Sequence, residues 1–592
     1  MGAIWDNCCP KSRPCGLGRR RRWQRRRDAR LAAMSADPSL ALLCPQPRHL
    51  TRTGGAVLVD TISIRRDTSL PAQGYRLTVD VDGARIDAAD AVGEHYARLT
   101  LSQLPSPTPA VVIEDWPDLA VRAVMLDVSR DRVPTMASLK ALIERLASWK
   151  INQLQLYFEH TFAYAAHEDV WSTASPFTPD EVRELDTFCR DRHIELVANQ
   201  NCLGHAERWL RLPRHQSMAL SPDGFDMMGL RRGPTTLDPA NPAAFEFVAS
   251  LLAELVPCFT SNRVHIGMDE PWELTPERID EYIAWMHKLC DLPVLRDREV
   301  LVWGDILAHH PALLKSLPDN VTVTEWGYEA DHPFDARARA LAAAGKPMWV
   351  CPGTSSWQTL LGRTTNMRAN TISAATAAHD HGGTGMLMTD WGDWGHHQPA
   401  IISLPAYAFG AAMSWCAATN TDIDLAVATD PAAVALGDVY LATAAQRPNC
   451  SALVRHLYLP QARVRHITVD ELDAARDRIE HGVDVLGDRV DHDANELRWA
   501  CDTVRMALDD AQARLENAGT LASIPSDTRE QLADQALDIG ERHVSLWNQR
   551  SRPGGLAGSR RWFTRLRESY LAGGPVANWP FPEIDISSGE SQ

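Results

Sequence analysis

The chain has 592 residues, of which 45% are hydrophobic and 23% charged, and its formal net charge is −16. This composition is typical of a globular protein with enough sequence for two or three domains. The acidic balance argues against nucleic acid as a partner. The chain shows no run of about eighteen consecutive apolar residues, so we predict no membrane span.

Residues 1–35 differ sharply from the rest of the chain. Arginines at 19–22 and 25–27 flank Trp23. A basic block of this kind is typical of an arm that binds nucleic acid or a membrane surface, but we predict a disordered extension. The segment lacks the apolar core of a secretory signal, because Ser, Asp and Pro follow Met34 almost directly.

Residues 36–118 are predicted to form a small α/β accessory domain. The stretch Tyr75–Asp80 has the pattern of a strand, and Ala88–Leu104 has the pattern of a helix. We expect a structural role for this domain.

Residues 119–418 alternate short β-rich runs with helical stretches, a pattern typical of parallel strands joined by crossover helices. The runs are Val121–Ser129, Ile151–His160, Ile194–Asn201, Val264–Glu270, Val300–Ile306, Val321–Tyr328, Pro347–Thr354 and Gly385–Asp393. Eight strand-helix units over about 300 residues predict an α/β fold of the TIM-barrel type, (β/α)8.

Residues 419–592 turn helical, with heptad-like stretches at Leu472–Val490 and Leu497–Ala518. The segment Arg550–Leu556, which contains Pro and two Gly, interrupts the helices. We predict a C-terminal helical domain. Its role is either to pack on the barrel or to form a homodimer interface, and the sequence leaves both open.

The active site of a TIM barrel lies at the carboxyl ends of its strands. The predicted strand ends carry many carboxylates and aromatic rings. They are Asp127, Arg130, Glu159, His160, Asn199, Asn201, His205, Asp269, Glu270, Trp303, Asp305, Trp326, Tyr328, Thr354, Trp357, Asp390, Trp391 and Asp393. Aromatic planes pack on the C–H faces of sugar rings, and carboxylates and amides bind sugar hydroxyls. The pattern therefore indicates a carbohydrate site.

Asp269 and Glu270 are the most informative pair among these residues, because they end a short apolar run. An acidic pair taken alone also suits a solvated helix start. At the end of a barrel strand it indicates catalysis, since burial and a neighbouring charge keep one carboxyl protonated while the other stays ionised.

Three motifs resemble glycoside hydrolase family 20, the β-N-acetylhexosaminidases. Arg122-Ala-Val-Met-Leu-Asp127-Val-Ser-Arg130 resembles the entry strand of the family, and His265-Ile-Gly-Met-Asp269-Glu270 resembles its acidic signature in the form of the hexosaminidase D branch. The third is the Trp-Gly-Asp pattern that ends at Asp305 and again at Asp393. The resemblance covers roughly residues 36–418.

The resemblance implies a retaining exo-hydrolase without an enzyme nucleophile, in which the 2-acetamido oxygen of the substrate attacks the anomeric carbon. It implies that Glu270 is the general acid and base and that Asp269 orients the acetamide. The residues it assigns to substrate binding are Arg122, His205, Trp303, Trp326, Trp391 and Asp393, to which we add Tyr328 and Trp357 from the strand ends. Arg122 and Asp393 would hold the outer hydroxyls. The implied partner is a carbohydrate with a terminal N-acetylhexosamine, without a cofactor or a metal.

The sequence departs from the family pattern at three positions. The usual Tyr at the end of the seventh strand is missing from Trp349–Trp357, and Tyr328, one strand earlier, is the candidate replacement. Met268 and Ala123 stand where glycine is usual. We expect these changes to affect substrate preference more than the reaction.

Two rival functions stay open. Asp390, Asp393, His396 and His397 offer ligands for a metal-dependent hydrolase, although the Asp269–Glu270 pair would then have no role. The same barrel could also be a catalytically silent sugar-binding protein, because a fold does not fix a function.

The 12 cysteines lack a Cys-x-x-Cys spacing and a compact disulfide framework. We therefore expect a reducing, cytoplasmic location.

Overall fold

A computed structural model describes residue 40, residues 42–227 and residues 230–576. The predicted disordered extension at residues 1–35 lies outside these residues.

The accessory domain is a five-stranded sheet with one helix. Its elements are β1 His49–Val57, β2 Ile62–Arg66, β3 Tyr75–Asp80, β4 Gly83–Ala88, α1 Ala91–Gln103 and β5 Thr108–Asp115. The strand order is β1-β5-β3-β4-β2. In β3 every second residue is fully buried, which is the period-2 pattern of a sheet with one covered face. The predicted strand and helix are both confirmed.

Eight parallel strands close into a barrel. They are β6 Val121–Asp127, β7 Gln153–Phe158 and β8 Glu195–Gln200, then, after a hairpin of β9 Phe225–Met227 and β10 Leu230–Arg232, β11 Arg263–His265, β12 Glu299–Trp303, β13 Val321–Trp326, β14 Met348–Cys351 and β15 Gly385–Asp390. β15 pairs with β6 and β8 pairs with β11, which closes the barrel. All eight predicted strands and the TIM-barrel fold are confirmed.

Helices cover the outside of the barrel. They are α2 Met136–Ser148, α3 Glu168–Trp171, α4 Pro179–Arg190, α5 Glu207–Leu210, α6 Pro213–Gln216, α7 Pro242–Leu255, α8 Ile279–Cys290, α9 Asp305–His309, α10 Phe334–Ala343, α11 Thr364–His381 and α12 Ala400–Asn420. Capping residues in the sequence determine where several of these helices begin. Thr178 and Glu181 form a capping box at the start of α4, with Pro179 in the first turn.

The last barrel helix, α12, is long and apolar enough to cross a membrane, but 89% of its apolar window is buried inside the protein. Such burial is what a core helix of a barrel shows, because one side faces the strands and the other faces further helices.

The C-terminal part is helical, as predicted. Its helices are α13 Leu425–Ala428, α14 Pro431–Leu436, α15 Arg455–Tyr458, α16 Val469–Leu486, α17 His492–Glu516, α18 Ser526–Arg550 and α19 Leu556–Ala572. Between α18 and α19, Arg552 donates two hydrogen bonds to Glu181 of the barrel and lies 4.5 Å from the ring centroid of Phe177. The segment that interrupts the helices thus fastens this part to the barrel.

Candidate active site

The chain leaves the strand conformation directly after β11, and this brings Asp269 and Glu270 over the barrel mouth. Gly267, Met268 and Glu270 have φ values of 68°, 74° and 45°. The predicted run was therefore too long at this end, because left-handed residues do not continue a strand. Gly204 lets the loop after β8 approach, since a Cβ there would lie 2.3 Å from the Asp269 carbonyl oxygen.

Asp269 is buried and surrounded by donors. Asn201 Nδ2 donates to Asp269 Oδ1 at 2.6 Å, and His205 Nε2 lies 3.3 Å from Asp269 Oδ2. Burial opposes its ionisation, but His205, Arg130 and Asn201 outweigh this effect and hold the pKa of Asp269 below its usual value. Asp269 is therefore a carboxylate at neutral pH.

Glu270 is the more open member of the pair. Its side chain is 29% exposed, whereas that of Asp269 is 7% exposed. His205 Nε2 lies 3.5 Å from Glu270 Oε2, so one imidazole bridges both acids. Burial lowers the pKa of His205, but the two carboxylates raise it well above its ordinary value. One carboxyl thus faces the pocket while the other lies fixed behind it.

Arg130 connects the acids on the other side of the pocket. Its guanidinium lies 3.0 Å from Asp127, 3.3 Å from Glu159 and 3.2 Å from Asp393. Nη2 also lies 3.4 Å from His205 Nδ1. The side chain is 19% exposed. The resemblance did not assign it a role, although its position just after β6 follows the strand-end rule.

The prediction that Arg122 binds the sugar is wrong. Arg122 is the second residue of β6, at the opposite end of the barrel, and is fully buried. Its guanidinium donates to the carbonyl oxygens of Lys150, Leu119 and Ala120 and to Tyr96 Oη. Arg122 therefore joins the barrel to the accessory domain, and Arg130 is the arginine that pairs with Asp393.

The predicted aromatic residues lie together inside the barrel mouth. This cluster contains Trp303, Trp326, Tyr328, Trp357 and Trp391. Trp303 and Trp357 are 1% exposed, so they form the packed base, while Trp326 and Tyr328 are half-buried. The indole nitrogens of Trp303 and Trp326 are buried without a hydrogen-bond partner. Two donors in this cluster thus have no partner among the described residues.

Glu159 and Asp305 are among the carboxyls of the site that carry raised pKa values. Burial raises the pKa of Glu159 to about 7, although Arg130 and His205 oppose the shift. Burial, together with the charge of Asp269, raises the pKa of Asp305 to about 8. Asp305 Oδ2 accepts a hydrogen bond from the Glu270 backbone N–H at 3.1 Å. Groups with such shifts concentrate at functional sites.

The rival metal ligands have other partners. Asp390 accepts hydrogen bonds from Thr354 at 2.9 Å and from Ser356 at 2.8 Å. His397 Nε2 lies 3.0 Å from the carbonyl oxygen of Ser559. Across the described part of the chain, no group of three or more His, Cys, Asp or Glu side chains is arranged to hold a metal ion.

Comparisons with known proteins show the family of the accessory domain and the barrel. The model of "Glycosyl hydrolase family 20, catalytic domain" matches residues 120–378, and that of "Glycosyl hydrolase family 20, domain 2" matches residues 46–116. A beta-N-acetylhexosaminidase of Cellulomonas fimi is 26% identical over 355 residues, which are 55% of this chain and 67% of the relative. A beta-hexosaminidase of Akkermansia muciniphila is 26% identical over 264 residues, or 40% of this chain. The match spans only 53% of the Akkermansia relative's length.

Solved structures show the same fold. An inactive mutant of the exo beta-N-acetylglucosaminidase from Vibrio harveyi aligns with a TM-score of 0.53 at 16% identity, over 67% of this chain and 77% of that one. A mutant Streptomyces plicatus beta-hexosaminidase in complex with its product GlcNAc aligns with a TM-score of 0.52 at 19% identity, over 67% of this chain and 95% of that one. The two family models match the accessory sheet and the barrel that carries Asp269 and Glu270, and the chain therefore belongs to glycoside hydrolase family 20.

Proposed function

We propose that this protein is a retaining exo-β-N-acetylhexosaminidase that releases terminal β-linked GlcNAc or GalNAc by participation of the substrate's 2-acetamido group. The observation that carries this proposal is the pair of unlike carboxyls, Asp269 buried among donors and Glu270 open to the pocket, with His205 between them. The hexosaminidase D-like branch stays a prediction.

In the first step the acetamide oxygen bonds to the anomeric carbon while the glycosidic C–O bond breaks. Glu270 gives its proton to the leaving oxygen, and the Asp269 carboxylate accepts a hydrogen bond from the acetamide N–H as positive charge develops on the ring. In the second step water attacks the anomeric carbon, Glu270 takes a proton from that water, and the bond to the acetamide oxygen breaks. The anomeric configuration is retained, since two displacements occur.

Tyr328 is the proposed donor to the acetamide oxygen. An indole N–H can only donate, so in the 2.8 Å bond from Trp391 Nε1 the Tyr328 oxygen accepts and keeps its own proton to donate. The Tyr328 ring lies over Gly353, where a Cβ would come within 2.7 Å of it. Gly353 follows the seventh barrel strand, at the end of which the family's usual Tyr stands, and this closeness supports Tyr328 as its replacement.

The test compares four proteins on p-nitrophenyl β-N-acetylglucosaminide and its galacto epimer, with and without EDTA. We expect chelator-resistant release by the wild type, a fall of about 10³-fold in kcat for Glu270→Gln and a fall of about 10²-fold for Asp269→Asn. Glu277→Gln is the matched control, because Glu277 is exposed in the loop that follows Glu270. Release from neither epimer by the wild type overturns the proposal.

Two substrate changes separate the roles. A dinitrophenyl leaving group needs little protonation, so it should recover much of the Glu270→Gln activity and little of the Asp269→Asn activity. The p-nitrophenyl β-glucoside lacks the acetamide and should not be hydrolysed. Turnover of this glucoside at the rate of p-nitrophenyl β-N-acetylglucosaminide would refute acetamido participation.

A cytoplasmic location is proposed on separate grounds. The nine cysteines in the described part of the chain are all unpaired and buried. Free thiols persist in a reducing compartment. Cell fractionation tests this proposal, and recovery of the protein from the culture medium would contradict it.

A further inference from the structure

One side of the pocket mouth carries a group of arginines, Arg208, Arg232 and Arg561, which we call the arginine rim. Arg208 and Arg561 are exposed and Arg232 is half-buried. They come from the short helix α5, from the hairpin strand β10 and from helix α19, so three separate parts of the chain meet here. Such a grouping is unexpected in a protein of net charge −16.

Arg208 and Arg232 contact residues that are close in the chain to Arg130 and His205. Arg208 follows His205 by three residues, and its Nη2 donates to Asp131 Oδ1 at 3.1 Å. Asp131 is the residue after Arg130, which contacts Asp393 and Glu159 in the pocket. Arg232 lies 3.9 Å from Glu207, which follows His205 by two residues. The rim therefore borders the mouth rather than a remote surface.

Arg561 is brought to the same place by α19. A Cβ on Gly558 would lie 2.5 Å from Asp131 Oδ1, so the first turn of the helix abuts Asp131. Residues i and i+3 share a helix face, which places Arg561 one turn further along that face. Within residues 42–227 and 230–576, Arg561 forms no ion pair.

The rim is positively charged overall. Its two neighbouring acids are Asp131 and Glu207, against three arginines. Arg211 lies near the same arginines: burial lowers its pKa, and so do Arg208, Arg561 and Arg232, while Glu207 opposes them. These arginines thus lie within electrostatic range of one another.

The floor of the pocket has the opposite character. It holds the carboxyls of Asp127, Glu159, Asp269, Glu270, Asp305 and Asp393 around the cations Arg130 and His205. A field that is negative at the floor and positive at the rim orients a substrate that is neutral at one end and anionic at the other. Its uncharged N-acetylhexosamine would enter first, and its anionic group would stay at the mouth.

We propose that the arginine rim is an aglycone subsite that binds an acidic sugar, with a carboxylate on the residue next to the scissile bond. The proposal rests on the proposed hexosaminidase function and names its substrate class. The guanidinium of arginine is a planar fork of donors that suits carboxylates. An exposed ion pair between an arginine and a carboxylate changes binding by up to about fivefold per arginine.

The experiment compares two disaccharides that differ only in charge. One is β-GlcNAc linked to position 4 of N-acetylmuramic acid, and the other is the same compound with its lactyl carboxylate converted to the methyl ester. We expect kcat/KM to favour the acid by at least about fivefold in low salt. The preference should shrink in 0.5 M NaCl, where the screening length is about 4 Å.

The variants Arg561→Ala and Arg208→Gln should each reduce the acid-to-ester ratio severalfold. Arg498→Ala is the matched control, because Arg498 is a half-buried arginine of α17, as Arg232 is of the rim, and donates to the Gly487 carbonyl oxygen. It should leave the ratio unchanged. An equal rate for acid and ester in the wild type, or a ratio that persists in both rim variants, overturns the proposal. If neither disaccharide nor p-nitrophenyl β-N-acetylglucosaminide is hydrolysed, the proposed function fails and this proposal fails with it.

Discussion

At the scale of single residues, one arginine in the first barrel strand and one just after it have different roles, Arg122 in stability and Arg130 in binding. Arg130 meets three carboxylates at the mouth, while Arg122 satisfies three carbonyl oxygens and a tyrosine at the base. Lysine keeps the charge at either position but loses the fork of donors. The same substitution should therefore have different consequences at the two ends.

We expect Arg130→Lys to lower kcat/KM on p-nitrophenyl β-N-acetylglucosaminide by about 10²-fold, because misplacement of a bound sugar by about 1 Å has this effect. Arg122→Lys should instead lower the free energy of unfolding by about 2–3 kcal/mol, since it leaves buried acceptors unpaired, and should keep kcat/KM within about threefold of wild type. Steady-state kinetics and urea unfolding measure the two effects. A loss of stability in Arg130→Lys together with a loss of kcat/KM in Arg122→Lys would contradict the placement of both residues.

The raised pKa of Asp305 predicts how the stability of the folded protein depends on pH. Its pKa is raised from 3.8 to about 8 in the folded protein, so the folded state keeps the proton that the unfolded chain has lost. Stability must then fall as pH rises from about 4 to about 8. Asp305→Asn cannot ionise and keeps an oxygen acceptor for the Glu270 N–H.

We therefore expect the Tm of Asp305→Asn to fall less steeply than that of the wild type between pH 5 and pH 8, by a few degrees over the range. Differential scanning calorimetry at several pH values measures this difference. Asp484→Asn, at an exposed position of α16, should follow the wild type. Parallel curves for Asp305→Asn and wild type would refute the raised pKa.

At the scale of elements, the strand β11 is short because the backbone turns into the left-handed region directly after it, and this turn carries the acidic pair. Met268 has a φ of 74° and is fully buried. A left-handed residue other than glycine costs about 1–2 kcal/mol. The usual stability order of Ala above Gly should therefore be reversed here.

We predict that Met268→Gly is more stable than Met268→Ala by about 1 kcal/mol, although both are less stable than the wild type because each loses a buried side chain. Urea unfolding of the three proteins provides the measurement. The expected order is wild type, then Met268→Gly, then Met268→Ala. A Met268→Ala protein that equals or exceeds Met268→Gly would show that the left-handed backbone is not strained.

At the scale of the whole molecule, the C-terminal helices support the active site from outside the barrel. Gly555 has a φ of 77°, and a Cβ there would lie 1.8 Å from the Asp131 carbonyl oxygen. Asp131 follows Arg130, so a displacement at this contact reaches the pocket. We therefore expect the docking of α19 to affect the position of Arg130 in the candidate site.

Gly555→Ala should lower kcat/KM by at least about tenfold through displacement of the Arg130 loop. The matched control is Gly487→Ala, because Gly487 has a φ of 59° and open space around its Cβ position. The control should lose about 1 kcal/mol of stability and keep its activity. Equal kinetic effects of the two substitutions would refute a role for the contact.

The sequence by itself determined the barrel and most of its site. Strands buried on both faces appear as apolar runs, and the rule that active sites lie at strand ends selected His205, Trp326, Tyr328 and the Asp269–Glu270 pair. The pattern could not place Arg122. It shares a motif with Arg130, yet eight residues of strand and turn put the two at opposite ends of the barrel, since a strand advances about 3.3 Å per residue.

Only the tertiary structure decided which distant residues meet. Tyr328 lies over Gly353 at the end of another strand, and Arg561 approaches Asp131 across more than 400 residues of sequence. These contacts depend on how loops and helices pack after the barrel has closed, and no local periodicity encodes that packing. Local pattern thus determined the elements and the chemistry they carry, whereas packing decided the walls of the pocket and the charge at its rim.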